Sequence, residues 1–118
     1  MTNEDFIQCM SDALRKSDNI LANKRAEYTP GADRLLSFKT AAKLQGNTPI
    51  AALGGMLSKH IVSFYDYIER VSNKDHPEYI SLEQWDEKII DILNYMLLAR
   101  ALLQEEQNNR TEVALSSE

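Results

Sequence analysis

Apolar residues recur at helical spacing in four stretches of the chain. In the stretch from Ser81 to Gln104 they stand at Trp85, Ile89, Ile92, Met96, Ala99 and Leu103, and Ile90, Leu93, Leu97 and Leu102 widen the stripe. The i, i+3, i+4, i+7 recurrence predicts a long helix buried along that face. Ser81 followed by Gln84 gives it a capping-box start. A second long helix opens on Thr48, with Pro49 at its first position, and runs through Ile50, Leu53, Leu57, Ile61, Phe64 and Ile68 to about Val71. The loop SNKDHPE, with Pro77, separates the two. Nearer the start of the chain, Thr2 with Glu4 and Asp5 begins a helix whose apolar side is Phe6, Met10, Ala13, Leu14, Ile20 and Leu21, with a polar gap at Ser17. Pro30 and Gly31 halt any helix there. A shorter helix starts at Gly31 or Asp33, passes through Leu35, Leu36, Phe38, Ala41 and Leu44, and ends at Gly46 as its C-terminal cap.

These elements predict an all-α fold: a bundle of about four helices built on a long antiparallel hairpin of helices three and four. Residues 1–104 make the single domain. Residues 105–118 are polar and without period, and are expected to be a disordered tail.

Charge changes this picture little. The net charge is −5. Through Gln104 there are 12 Lys and Arg against 14 Asp and Glu, so the remaining −3 belongs to the tail. This balance gives no footprint for a nucleic-acid backbone. No apolar run reaches the roughly 18 residues of a membrane span, and the acidic start is unlike a signal peptide. A single cysteine, Cys9, excludes an intramolecular disulfide and fits a reducing, cytoplasmic setting; its expected role is a small core residue.

Candidate chemistry lies on the hairpin. Glu87, Asp91 and Asn94 share one face of helix four beside Tyr95; Lys59, Ser63 and Asp66 share one face of helix three, with His60 adjacent. These lines are either solvated faces or two walls of a cleft. In a cleft, Glu87, Asp91 and Asp66 are the carboxylates that would hold Mg²⁺, a hard cation usually bound by one or two carboxylates plus substrate phosphates. Lys59 could take a phosphate oxygen. The turn region supplies Lys24, Tyr28 and Arg34, cations and an aromatic suited to a phosphorylated, base-containing ligand. Gly54 and Gly55 sit inside helix three at about 1 kcal/mol each relative to Ala; Ala51, Gly55 and Ser58 form a small-residue face open to a close-packed helix or a ligand.

Three segments, NKRAEYTPGADRLLSFKTAAKLQGNTP, ALGGMLSKHIVSFYDYIE and WDEKIIDILNYMLLARALL, resemble phage and prophage proteins of the "nucleotide modification associated domain 1" type, themselves similar to MazG-like all-α nucleoside triphosphate pyrophosphohydrolases. The resemblance spans roughly Leu21 to Leu103. It implies Mg²⁺ held by helix carboxylates, water attack on a nucleoside triphosphate, and assembly into dimers or tetramers. The hydrolases carry EExxE on one helix and ExxD on the next. Here the first position holds only Asp66 and Glu69, and the second reads Glu87-x-x-x-Asp91, one residue longer. Asp91 matches best, Glu87 next, Asp66 by location alone.

Two function classes follow. One is nucleotide or deoxynucleotide binding between helices three and four, with Mg²⁺-dependent hydrolysis. The other is a non-catalytic phage-type protein that sequesters a nucleotide signal, or blocks a host protein, in the host cytoplasm. Whether the chain is an enzyme stays open at the level of sequence.

Overall fold

The structure, a computed structural model, describes residues 1–25 and 31–116. It contains α1 (Asn3–Arg25), α2 (Leu36–Gln45), α3 (Pro49–Val71) and α4 (Leu82–Ser116). The described residues include no strand, so the fold is all-α. No helix is long and apolar enough to cross a membrane.

Local chemistry sets the helix limits. At the start of α1, Asp5 N–H donates to Thr2 Oγ1 (3.1 Å) and Thr2 N–H donates back to Asp5 Oδ2 (3.3 Å). Thr48 accepts from Ala51 N–H at 3.2 Å, with Pro49 at the first helical position of α3. Ser81 and Gln84 form the reciprocal capping box of α4, at 3.1 and 3.3 Å. Each cap satisfies amide donors that a helix start leaves without partners. Gly46 closes α2 at φ 69°, a left-handed conformation that favours glycine.

The spine of the bundle is α4, which packs against α1 along one side and α3 along another, while α2 packs on α3. Along the hairpin His60 meets Asp91, and Phe64 and Tyr67 meet Trp85, so α3 and α4 run antiparallel. The core joins three helices: Leu35 and Phe38 from the start of the α2 region, Leu53 from α3 and Leu102 from α4. Lys39 ties the periphery, reaching Asp33 at 2.6 Å and Glu105 at 2.5 Å. The Lys39 ammonium, then the Leu35 N–H, hold the Asp33 carboxyl below its ordinary range, and both carboxylates raise Lys39.

Four expectations are corrected. First, the line buried on α4 is Ile90, Asn94 and Leu102, while Ile89, Met96 and Leu103 of the expected stripe are exposed. The helix carries apolar residues around most of its circumference, so period alone does not select the inner face. Second, Cys9 is exposed. Third, Gly54 and Gly55 approach nothing in the chain: a methyl group at either would meet open space. Fourth, residues 105–116 are helical, continuing α4. Pairs one turn apart support this extension, Gln104 with Asn108 and Glu106 with Arg110.

From Glu106 to Ser116 every residue is exposed. Deleting Asn108 to Glu118 is therefore expected to move the melting temperature by no more than about 2 °C, the scale of surface changes. Differential scanning calorimetry checks it, and a loss of several degrees would show that this segment docks on the bundle.

Candidate functional site

The hairpin brings three of the sequence-derived residues together. His60 on α3 lies opposite Asp91 on α4, with Nδ1 3.4 Å from Oδ2. The His60 and Tyr95 rings stack at 4.9 Å between centroids, tilted by 36°. Tyr95 in turn meets the edge of Phe38 at 6.5 Å, so the stack is anchored on the core. Antiparallel packing explains the match: Asp91 and Tyr95 are four residues apart on α4, and both face the same turn of α3. Asp91 keeps 46% of its side-chain exposure and His60 31%. The desolvation expected of Asp91 from its apolar sequence neighbours is therefore largely absent, because Ile90 points inward and Asp91 points to the groove edge.

The loop end of the hairpin is closed by rings. Trp85 packs edge-on against Phe64 at 5.7 Å and Tyr67 at 5.4 Å, and Lys88 Nζ lies 5.1 Å from the Tyr67 centroid. These contacts fix the register that sets His60 against Asp91.

Other candidates fall elsewhere. Glu87 is exposed one turn before Asp91. Lys59 is exposed beside His60, and Ser63 is half-buried one turn on. Asp66 sits 3.5 Å from Arg70, which also binds Glu78 at 2.7 Å and ties the α3–α4 loop to the end of α3. Among the described residues no group of three or more His, Cys, Asp or Glu side chains is arranged to hold a metal ion. Of the carboxylates expected to share a cation, Glu87 and Asp91 stand one turn apart on α4, while Asp66 is engaged by Arg70.

Asn94, expected to face a ligand, is buried at 7% exposure and accepts a hydrogen bond from Ser17 Oγ at 2.5 Å. It holds α1 on α4 instead. The polar gap at Ser17 and the polar position at Asn94 are two halves of one contact, which no periodicity within a single helix displays.

Arg34 lines a cavity of about 630 Å³ with Asp18, Leu21, Leu97, Leu98, Ala101 and Glu105. Its Nη2 donates to Leu21 O at 3.5 Å. The cavity thus lies where α1 meets α4, whereas the His60–Asp91 pair lies where α3 meets α4. Lys24 is exposed near the end of α1, and Tyr28 lies outside the described residues. Phe38, the base of the ring stack, was not distinguishable in sequence from any other core phenylalanine.

The chain matches no family profile, no curated protein and no solved structure.

Proposed function

We propose that the protein binds a nucleotide or deoxynucleotide on the groove between α3 and α4. The observation that carries this reading is the half-exposed His60–Asp91–Tyr95 cluster. A tilted ring stack anchored on Phe38 offers a platform for a base, since aromatic stacking tolerates any purine or pyrimidine face. Lys59 beside it supplies positive charge for phosphates, and Arg34 would add to it from the cavity between α1 and α4. Glu87 and Asp91 would hold Mg²⁺ carried by those phosphates, where the cation neutralises charge on the phosphoryl oxygens.

Binding without turnover fits the donor set better than hydrolysis does. Asp66 is engaged with Arg70 and no third carboxylate joins the pair. The protein then acts as a sequestering module for a nucleotide signal, and it works as a homo-oligomer, a dimer or tetramer.

The test is a thermal-shift panel of linear and cyclic nucleotides, with and without Mg²⁺, on the wild type and on Asp91→Asn. A true ligand at 100 times its Kd stabilises by about 2.7 kcal/mol. Asp91→Asn is expected to leave the unfolding free energy within about 1 kcal/mol, as for an exposed ion pair, while reducing affinity at least about tenfold. Release of pyrophosphate or phosphate by the wild type would convert the reading to a hydrolase. A panel without any stabilising nucleotide would remove it and leave a bundle that acts through protein contacts.

A further inference from the structure

The backbones of α2 and α4 stand apart: both helices pack on α3, and side chains span the gap between them. Phe38 reaches Tyr95 in the core, and Lys39 reaches Glu105 at the rim. In this gap, against the start of α3, lies a cavity of about 490 Å³. Its size falls within the roughly 300–1,000 Å³ of small-molecule sites. It is separate from the His60–Asp91 groove, since Leu102 on its wall lies eleven residues, about 16 Å, along α4 from Asp91.

The floor of the cavity is apolar. Ala42 and Leu102 are 3 and 6% exposed, and Ile50 is half-buried. On its lips Leu36 and Leu103 leave 56 and 45% of their surface in solvent, apolar area that an occupant would cover. The wall on α4 is the stretch past Gln104, where Glu105, Glu106 and Asn109 line the space. That extension lies outside the core cluster, yet it gives the shelf beside α2 a second side.

Charge at the mouth is uneven. Glu105 is held by Lys39, and Glu106 by Arg110 one turn on. Lys43, one turn after Lys39 on α2, lines the cavity with no ion-pair partner among the described residues. Its place in the last turn suits the dipole of α2 and leaves the ammonium head uncommitted. An incoming anion meets a free cation, whereas an incoming cation meets acids already engaged. The two acids on the facing wall admit one negative charge and disfavour a polyphosphate.

We propose that this cavity binds a small amphipathic monocarboxylate, its alkyl or arylalkyl chain lying on Ala42, Ile50 and Leu102 and its carboxylate turned to Lys43. The chain supplies the affinity, because an exposed ion pair contributes little. Lys43 selects and orients the head group. This site stands whether or not the groove binds a nucleotide.

Isothermal titration calorimetry of the full chain with decanoate, below its micelle concentration, tests it. Decanol and decyltrimethylammonium serve as the neutral and cationic counterparts, and amide NMR shifts locate the ligand. Decanoate is expected to bind saturably, one per chain, with shifts at Leu36, Lys43, Ile50 and Leu103. Lys43→Gln is expected to weaken decanoate about three- to fivefold and to leave decanol unchanged. Leu103→Glu is expected to weaken both by at least about tenfold with helicity retained, and Val62→Glu, on the exposed face of α3, to change neither. Absence of saturable binding would overturn the inference, as would shifts confined to α1 or an affinity indifferent to Leu103→Glu. Decyltrimethylammonium binding as tightly as decanoate, or an equal loss of decanol in Lys43→Gln, would overturn the choice of a carboxylate. Concentration-dependent shifts at Leu36 and Leu103 without any ligand would place a second copy of the chain in the cavity, and would overturn it likewise.

Discussion

Leu53→Ala is expected to lower the unfolding free energy by about 3 kcal/mol, within the range for leucine truncation at a packed site. Leu53 has 1% of its surface exposed and lies where Leu35, Phe38 and Leu102 converge. Truncation removes a side chain from a cluster that joins α3 to α4 and the start of α2, and the surroundings are tied by Lys39 to Asp33 and Glu105, so collapse into the void is resisted. For a domain of this length that corresponds to roughly 10 °C in melting temperature. Leu44→Ala is the control. It belongs to the same apolar side of α2 in sequence, yet it is 84% exposed, and its loss is expected to stay within about 0.5 kcal/mol. Both variants are compared at one protein concentration, so that any association affects them alike. Equal losses at the two positions would mean that α2 presents a different face to α3.

The second large effect concerns the contact between α1 and α4. Ser17→Ala is expected to cost about 2 kcal/mol, because it leaves Asn94 Oδ1 buried without a donor. Ser17 is 2% exposed and its hydroxyl is spent on Asn94. Ser17→Ala combined with Asn94→Leu replaces both polar partners by apolar groups and is expected to recover much of the loss, a coupling that a double-mutant cycle reads directly. Amide hydrogen exchange adds a local readout. In Ser17→Ala protection should fall in α1 before it falls in the hairpin, since α1 packs on α4 and on no other helix. Lys16, whose ammonium is held charged by Asp86, makes a further side-chain link across this interface at the surface. Uniform loss of protection through all four helices would show instead that α1 and the hairpin unfold as one unit.

The same pair of residues shows why the site was only partly legible. Asp91 and Asn94 look alike in sequence, polar positions one turn apart among isoleucines and leucines. Their fates differ because α1 lies against one and the groove edge against the other. The pairing of His60 with Asp91 follows from an antiparallel hairpin and a register set by Trp85, which are tertiary facts. Asp66 was placed with the carboxylates by its spacing on α3, but Arg70 at the helix end, itself paired with Glu78, draws it away.

By itself the sequence determined the number of helices and where most of them begin and end. Those signals are local: Thr2, Thr48 and Ser81 satisfy the first free amides, Pro49 fits only a first turn, and Gly46 adopts the left-handed turn that stops α2. Each acts over four or five residues and needs no partner. The extension of α4 past Gln104 escaped because isolated helical pairs such as Glu106 with Arg110 leave no apolar period. Only the tertiary structure decided which apolar face of α4 is inside. Two helices, α1 and α3, pack on a rod that is apolar nearly all round, and Ile90, Asn94 and Leu102 are buried while Leu82, Ile89, Met96 and Leu103 stay exposed. Burial is a property of the pair of surfaces that meet, and the pattern on one surface fixes only that it can be buried.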